Sequence, residues 1–160
     1  MPSRRHSPLL TLALLATGLA SAGAEIHTDG AWVREMPPVA ERSAGYLTLH
    51  NAGDRDRAVT GASAEGFARV ELHESVERDD TMRMEHRERI DLPAGERVAL
   101  EPGGLHLMLL ERAGEPLKEA DGDRVALTLE LDDGETVEVT APVRRHAPDG
   151  DAATEDHDHH

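Results

Sequence analysis

At 160 residues the chain is long enough for one ordinary domain and short for two. Its 32 acidic residues against 17 basic ones, a formal charge of −15, exclude a role built on neutralising nucleic-acid phosphates or anionic lipid. There is no cysteine, which excludes disulfides, thiolate catalysis, iron–sulfur clusters and thiolate metal centres, so that any soft metal must be held by methionine or histidine.

In chain order, Arg4 and Arg5 precede an apolar run from Leu9 to Leu19, and small residues follow as far as Ala24. This pattern predicts a secretory signal peptide over residues 1–24, because the run is too short for the roughly 20 apolar residues of a permanent membrane helix. No cysteine follows the run, so lipid attachment is not expected, and loss of Arg4 and Arg5 takes the formal charge from −15 to −17. A single domain is expected over residues 25–145. Within it, two-residue alternation recurs at Tyr46–His50, Val70–His73, Arg97–Leu100, Val125–Leu131 and Thr136–Thr140, which predicts strands.

Turn signals separate these strands: Asn51–Asp54, Pro93–Gly95, Pro102–Gly104, Asp121–Gly122 and Asp132–Gly134. The last of them predicts a hairpin. Glu101-Pro102-Gly103-Gly104 suits a type II turn, in which proline fixes the first corner and glycine takes the positive φ at the second. Seven to nine short strands imply an all-β sandwich or Greek-key barrel. The core must then come mainly from Leu, Val and Ala, since Trp32, Tyr46 and Phe67 are the only aromatic residues. Residues 146–160 have almost no apolar content and predict a disordered acidic tail. Its histidines at 146, 157, 159 and 160 are candidates for loose divalent-metal capture.

The candidate chemistry lies in three segments. In Leu105-His106-Leu107-Met108-Leu109, alternation puts the leucines on one face and His106 with Met108 on the other, expected to point outward. His73 shares its face with Glu71 and is also expected outward. Met82, Met84 and His86 share a face for which the alternation suggests an inward, packing role. Apart from Met1 and Met36, all methionines fall between 82 and 108, beside histidines. Thioethers are soft and neutral, and in a chain without thiolates they favour Cu(I) over zinc.

The spacing His73, ten residues, Met84, twenty-one residues, His106, one residue, Met108 resembles the H-x10-M-x21-H-x-M motif of the PCu(A)C family of periplasmic copper chaperones. Flanking segments such as Ala31-Trp32-Val33-Arg34, Val70–Glu74, Pro102–Leu109 and Pro116-Leu117-Lys118 are also similar to that family, and the resemblance spans about Ile26 to Val143. It implies a cupredoxin-like β-sandwich in the periplasm, binding Cu(I) through His73, Met84, His106 and Met108. It further implies delivery to the CuA centre of cytochrome c oxidase (subunit II), often beside a Sco-type protein, or periplasmic copper homeostasis more broadly. The His-bearing tail lacks methionine, which suits Cu(II) rather than a second Cu(I) site. Met82 is the one spare thioether, and alternation alone leaves Met82 and Met84 open as the ligand.

The residues also allow a copper-buffering protein, or a secreted interaction module whose His/Met cluster merely packs. A blue-copper oxidoreductase is disfavoured by the missing cysteine, and no nucleophile arrangement suggests an enzyme. Neither nucleic-acid binding nor membrane insertion after signal cleavage is expected. The acidic surface favours partners with basic docking patches.

Overall fold

The computed structural model describes residues 25–148, so the signal-peptide segment 1–24 and tail residues 149–160 lie outside the described residues. The described residues form ten strands: β1 (Ile26–Arg34), β2 (Ser43–Asn51), β3 (Arg57–Ala64), β4 (Phe67–Arg78), β5 (Thr81–Arg87), β6 (Ile90–Leu92), β7 (Arg97–Leu100), β8 (Leu105–Arg112), β9 (Arg124–Leu131) and β10 (Thr136–Arg144). The sheet runs β5-β4-β8-β2-β1-β10-β9-β3-β6, with β7 alongside β2. Pairing of β3 with β4 at Ala62 and Val70 closes the middle of this path into a barrel. All neighbours are antiparallel except β1 and β10, which run parallel through Val33–Val143 and Arg34–Arg144. The result is the expected all-β, cupredoxin-like Greek-key architecture.

The predicted punctuation is present. Between β9 and β10 the Gly134 amide donates to the Leu131 carbonyl, and Gly134 adopts φ +85°, completing a tight hairpin. At the Pro102 turn the Gly104 amide donates to Glu101 (3.0 Å) while Gly103 takes φ +87°, as a type II turn requires. One hairpin has no Asn-Gly or Asp-Gly signature: β4 and β5 are joined by Asp79 and Asp80 alone, at φ 53° and 58°. Two consecutive left-handed residues make a type I′ geometry, which matches strand twist and which Asp tolerates better than most side chains.

The core is aliphatic. Leu49, Leu107, Leu109 and Leu129 are fully buried, joined by Val33, Val59 and Leu92. Burial of each such side chain contributes roughly 1.5–3 kcal/mol from apolar area alone, so the leucine phase of β8 fixes which way His106 and Met108 must face. No helix among the described residues is long and apolar enough to cross a membrane.

Candidate metal centre

Register places the candidate residues. In the β4–β8 ladder His73 lies directly opposite His106, and Glu71 opposite Met108. In the β4–β5 ladder Ser75 lies opposite Met84 and His73 opposite His86. Side chains two apart on a strand share a face, so His73, Met84, His106 and Met108 all project from the same side of three adjacent strands. Met84, His106 and Met108 line one open cleft of about 370 Å³, whose other walls include Tyr46, Ser75, Pro102 and Gly103. Met82 occupies the same face one step further out, opposite Glu77, and is not part of the cleft wall.

Two expectations from alternation are corrected. His106 and Met108 face away from the leucines, but they are not outward in the sense of exposed, being only 3% and 9% accessible. The strand face they occupy is roofed by residues distant in sequence: Ala44 of β2 sits opposite Met108, and the Tyr46 ring lies 6.4 Å from that of His106. Conversely, Met82 and Met84 do not pack inward. They are 57% and 62% exposed, because β5 is an edge strand exposed over nearly its whole length.

The imidazoles are held in defined tautomers. His73 Nε2 lies 2.8 Å from Glu71 Oε2. The Glu71 carboxylate is held below the usual carboxylate range by its hydrogen bonds with His73 and Arg69, against a smaller opposing effect of burial. An ionised carboxylate only accepts, so Nε2 carries the hydrogen and Nδ1 the lone pair. His106 Nδ1 donates to the Gly104 carbonyl at 3.1 Å, leaving the lone pair on Nε2. Burial pushes the His106 pKa down, and His73 adds to this, while the Gly104 hydrogen bond works the other way. The net direction favours neutral imidazole.

The two nitrogens left over, His73 Nδ1 and His106 Nε2, are buried and without a hydrogen-bond partner. Buried polar atoms are rarely orphaned, and each such case calls for a reason. Here the rings are 5.8 Å apart between centroids. With metal–nitrogen bonds of about 2.0–2.1 Å, two imidazoles sharing one ion have ring centres roughly 5–6 Å apart. Among the described residues no group of three or more His, Asp or Glu side chains is arranged to hold a metal. Met84 and Met108 line the cleft beside His106, and thioethers are neutral, soft groups.

The Pro102 turn sets this geometry. The Gly104 carbonyl accepts both from His106 Nδ1 and from the Ser75 amide (3.0 Å), tying the turn to β4. Gly103→Ala is expected to destabilise the protein by about 1–3 kcal/mol in chemical denaturation, since a Cβ is strained at φ +87° even with open space around it.

Sequence reasoning missed one feature, a row of rings running across five strands: Trp32, Tyr46, His106, His73 and His86. Successive centroids are 4.6, 6.4, 5.8 and 5.9 Å apart. Alternation could place each ring on a face, but only strand order could align them.

Comparison with known proteins accords with this architecture. The sequence pattern of the LpqE-like family matches residues 26–143. Lxx21020 of Leifsonia xyli subsp. xyli (strain CTCB07), named as a lipoprotein, is 30% identical over 120 residues, covering 74% of this chain and 69% of that protein. The solution structure of CuI-DR1885 from Deinococcus radiodurans is 30% identical with a TM-score of 0.57, covering 78% of this chain and 84% of that one. The copper-bound PCuAC domain from PmoF2 shares the fold at 22% identity and a TM-score of 0.62, covering 76% of this chain and 94% of that domain. A match over nearly all the described residues, together with a relative of this identity, means that the chain belongs to the LpqE-like family.

Proposed function

We propose that this protein is an exported copper carrier, a binding protein rather than an enzyme, which holds one Cu(I) through His73, Met84, His106 and Met108. The observation that supports the reading most directly is the pair of buried, unpartnered imidazole nitrogens, His73 Nδ1 and His106 Nε2. Each ring's other nitrogen is tied to a carboxylate or a carbonyl, the arrangement usual for metal-ligating histidine. Copper is also bound in the similar PmoF2 domain, and Cu(I) in the 30%-identical DR1885. Two neutral imidazoles and two thioethers suit a soft monovalent ion and release no proton from a thiol on binding.

Exposure is graded across the donors, from 3% at His106 to 62% at Met84. An acceptor can therefore replace the outer thioether while the inner donors still hold the ion. Such exchange suits delivery to an acceptor such as the CuA centre of cytochrome c oxidase or a Sco-type protein. Export fits a family of lipoprotein-like name, although this chain has no cysteine to carry a lipid.

The test is titration of the protein with Cu(I) against a competing chelator, followed by methyl NMR. One tightly held equivalent is expected, with shifts of the Met84 and Met108 methyl signals and little change at Met82. Stoichiometric binding that leaves both methyls unmoved, or no tight binding at all, would end the assignment.

A further inference from the structure

The charged residues that line the cleft are basic, in a chain whose net charge is −15. Arg34 and Arg42 line the cleft that holds Met84, His106 and Met108, and no acidic residue does. Both guanidiniums belong to exposed residues, and neither forms an ion pair among the described residues. Three arginines of β4 and β5 are neutralised, Arg69 by Glu71 and Glu111, Arg78 by Glu85, and Arg87 by Glu74, while Arg83 and Arg112, which have no such carboxylate partner among the described residues, do not line the cleft. Arg34 is instead propped 5.8 Å from the centroids of both Trp32 and Tyr46 by cation–π contact, which keeps its charge forward without discharging it.

Unpaired cations do nothing for a bound cation. Across water at about 10 Å each costs it under 1 kcal/mol, which is tolerable but not useful. Their use must lie with a second body. Two exposed large hydrophobic residues adjoin the mouth of the same cleft, Met84 in its wall and Met82 beside it on β5, while Val39, 93% exposed, lines a neighbouring cleft that shares Arg42 and also holds Glu41 and Glu111.

We infer that this mouth is a docking surface for a copper acceptor that presents carboxylates around its own metal ligands, with Arg34 and Arg42 as their contacts. The inference rests on the copper-carrier reading and adds the charge of the partner. It reverses the expectation from composition, that partners carry basic patches. At physiological ionic strength charges are screened beyond about 8 Å. Two guanidiniums at the point of contact then outweigh a net charge of −15 spread over the whole molecule.

The experiment uses the full chain loaded with Cu(I) and three synthetic acceptor peptides sharing one Met/His ligand set, flanked by aspartates, by asparagines or by lysines, at about 0.15 M salt. The aspartate peptide is expected to remove copper about tenfold faster than the asparagine peptide, and the lysine peptide to be slowest. In Arg34→Gln/Arg42→Gln the three rates should converge while Cu(I) affinity rises by about fourfold at most. Equal rates with the unmodified protein, or fastest transfer to the lysine peptide, would overturn the inference. The copper-free protein gives a separate readout: the aspartate peptide should shift the Arg34 and Arg42 side-chain NMR signals. Absence of that shift overturns the docking surface even if copper binds as proposed. Its presence upholds the docking surface even if copper does not bind.

Discussion

Replacing His106 and Met108 together with alanine is expected to abolish tight one-to-one Cu(I) binding, while Glu71→Gln weakens it by about 10–100-fold. The two effects differ because the residues act at different distances from the ion. His106 and Met108 are the least exposed of the four proposed donors, and their loss leaves His73 with a thioether that is 62% exposed. Glu71 touches no metal. It accepts from His73 Nε2 at 2.8 Å and so keeps the lone pair on Nδ1. Glutamine at that position can still accept a hydrogen bond but carries no charge, so the ring loses orientation and basicity in part. A competition titration measures both variants. Unchanged affinity in the double variant would show that copper sits elsewhere, and unchanged affinity in Glu71→Gln would show that the carboxylate does not position His73. By linkage, Cu(I) free at about 100 times its dissociation constant should add about 2.7 kcal/mol to the stability of the unmodified protein and nothing to that of the double variant.

The second large effect is expected at the start of β3, beside the hairpin between β9 and β10. Arg57 is buried, and its guanidinium meets Asp132 at 3.0 Å and Asp133 at 2.8 Å. Asp132→Asn/Asp133→Asn preserves side-chain shape but removes both paired carboxylates, leaving Arg57 only the weaker influence of Glu135. A fully enclosed pair broken this way costs about 3–5 kcal/mol. Here the carboxylates are 32% and 38% exposed, so about 2–3 kcal/mol is expected in urea denaturation. The acid dependence follows in sign. The hydrogen bond from Arg57, with its charge, holds the Asp132 carboxyl below its ordinary value against the opposing effect of burial. The folded protein thus binds fewer protons than the unfolded chain near pH 4 and below. This contribution is fully present at neutral pH and is lost as pH falls through the folded-state value. The unmodified protein should lose stability over that range more steeply than the double asparagine variant. Parallel pH profiles for the two would remove Arg57 from the account.

What could be read from the sequence, and what could not, divides along a physical line. Alternation and turn chemistry are local, and both were legible: the Pro102-Gly103 corner, the Asp132–Gly134 hairpin, and the shared face of Leu105, Leu107 and Leu109. Whether a face is covered depends on strands far away in the chain. Alternation puts His106 and Met108 on the face opposite the leucines, yet it does not show that β2 lies alongside, with Ala44 next to Met108 and the Tyr46 ring 6.4 Å from that of His106. The same limit applied to β5, whose methionines read as packing residues until its place at the sheet edge left them uncovered. That Met84 rather than Met82 lines the cleft follows from the register of the Asp79-Asp80 hairpin, a turn with no glycine or asparagine to announce it.

The barrel seam has a dynamic consequence. Closure between β3 and β4 depends on a single ladder pair, Ala62 with Val70, whereas seven pairs join β4 to β8 and seven join β4 to β5. Local opening follows the least-bonded boundary. Breathing of the barrel should then part β3 from β4 and leave β5, β4 and β8 moving as one leaf, so amide exchange would be rapid along the seam and slow around His73, Met84, His106 and Met108.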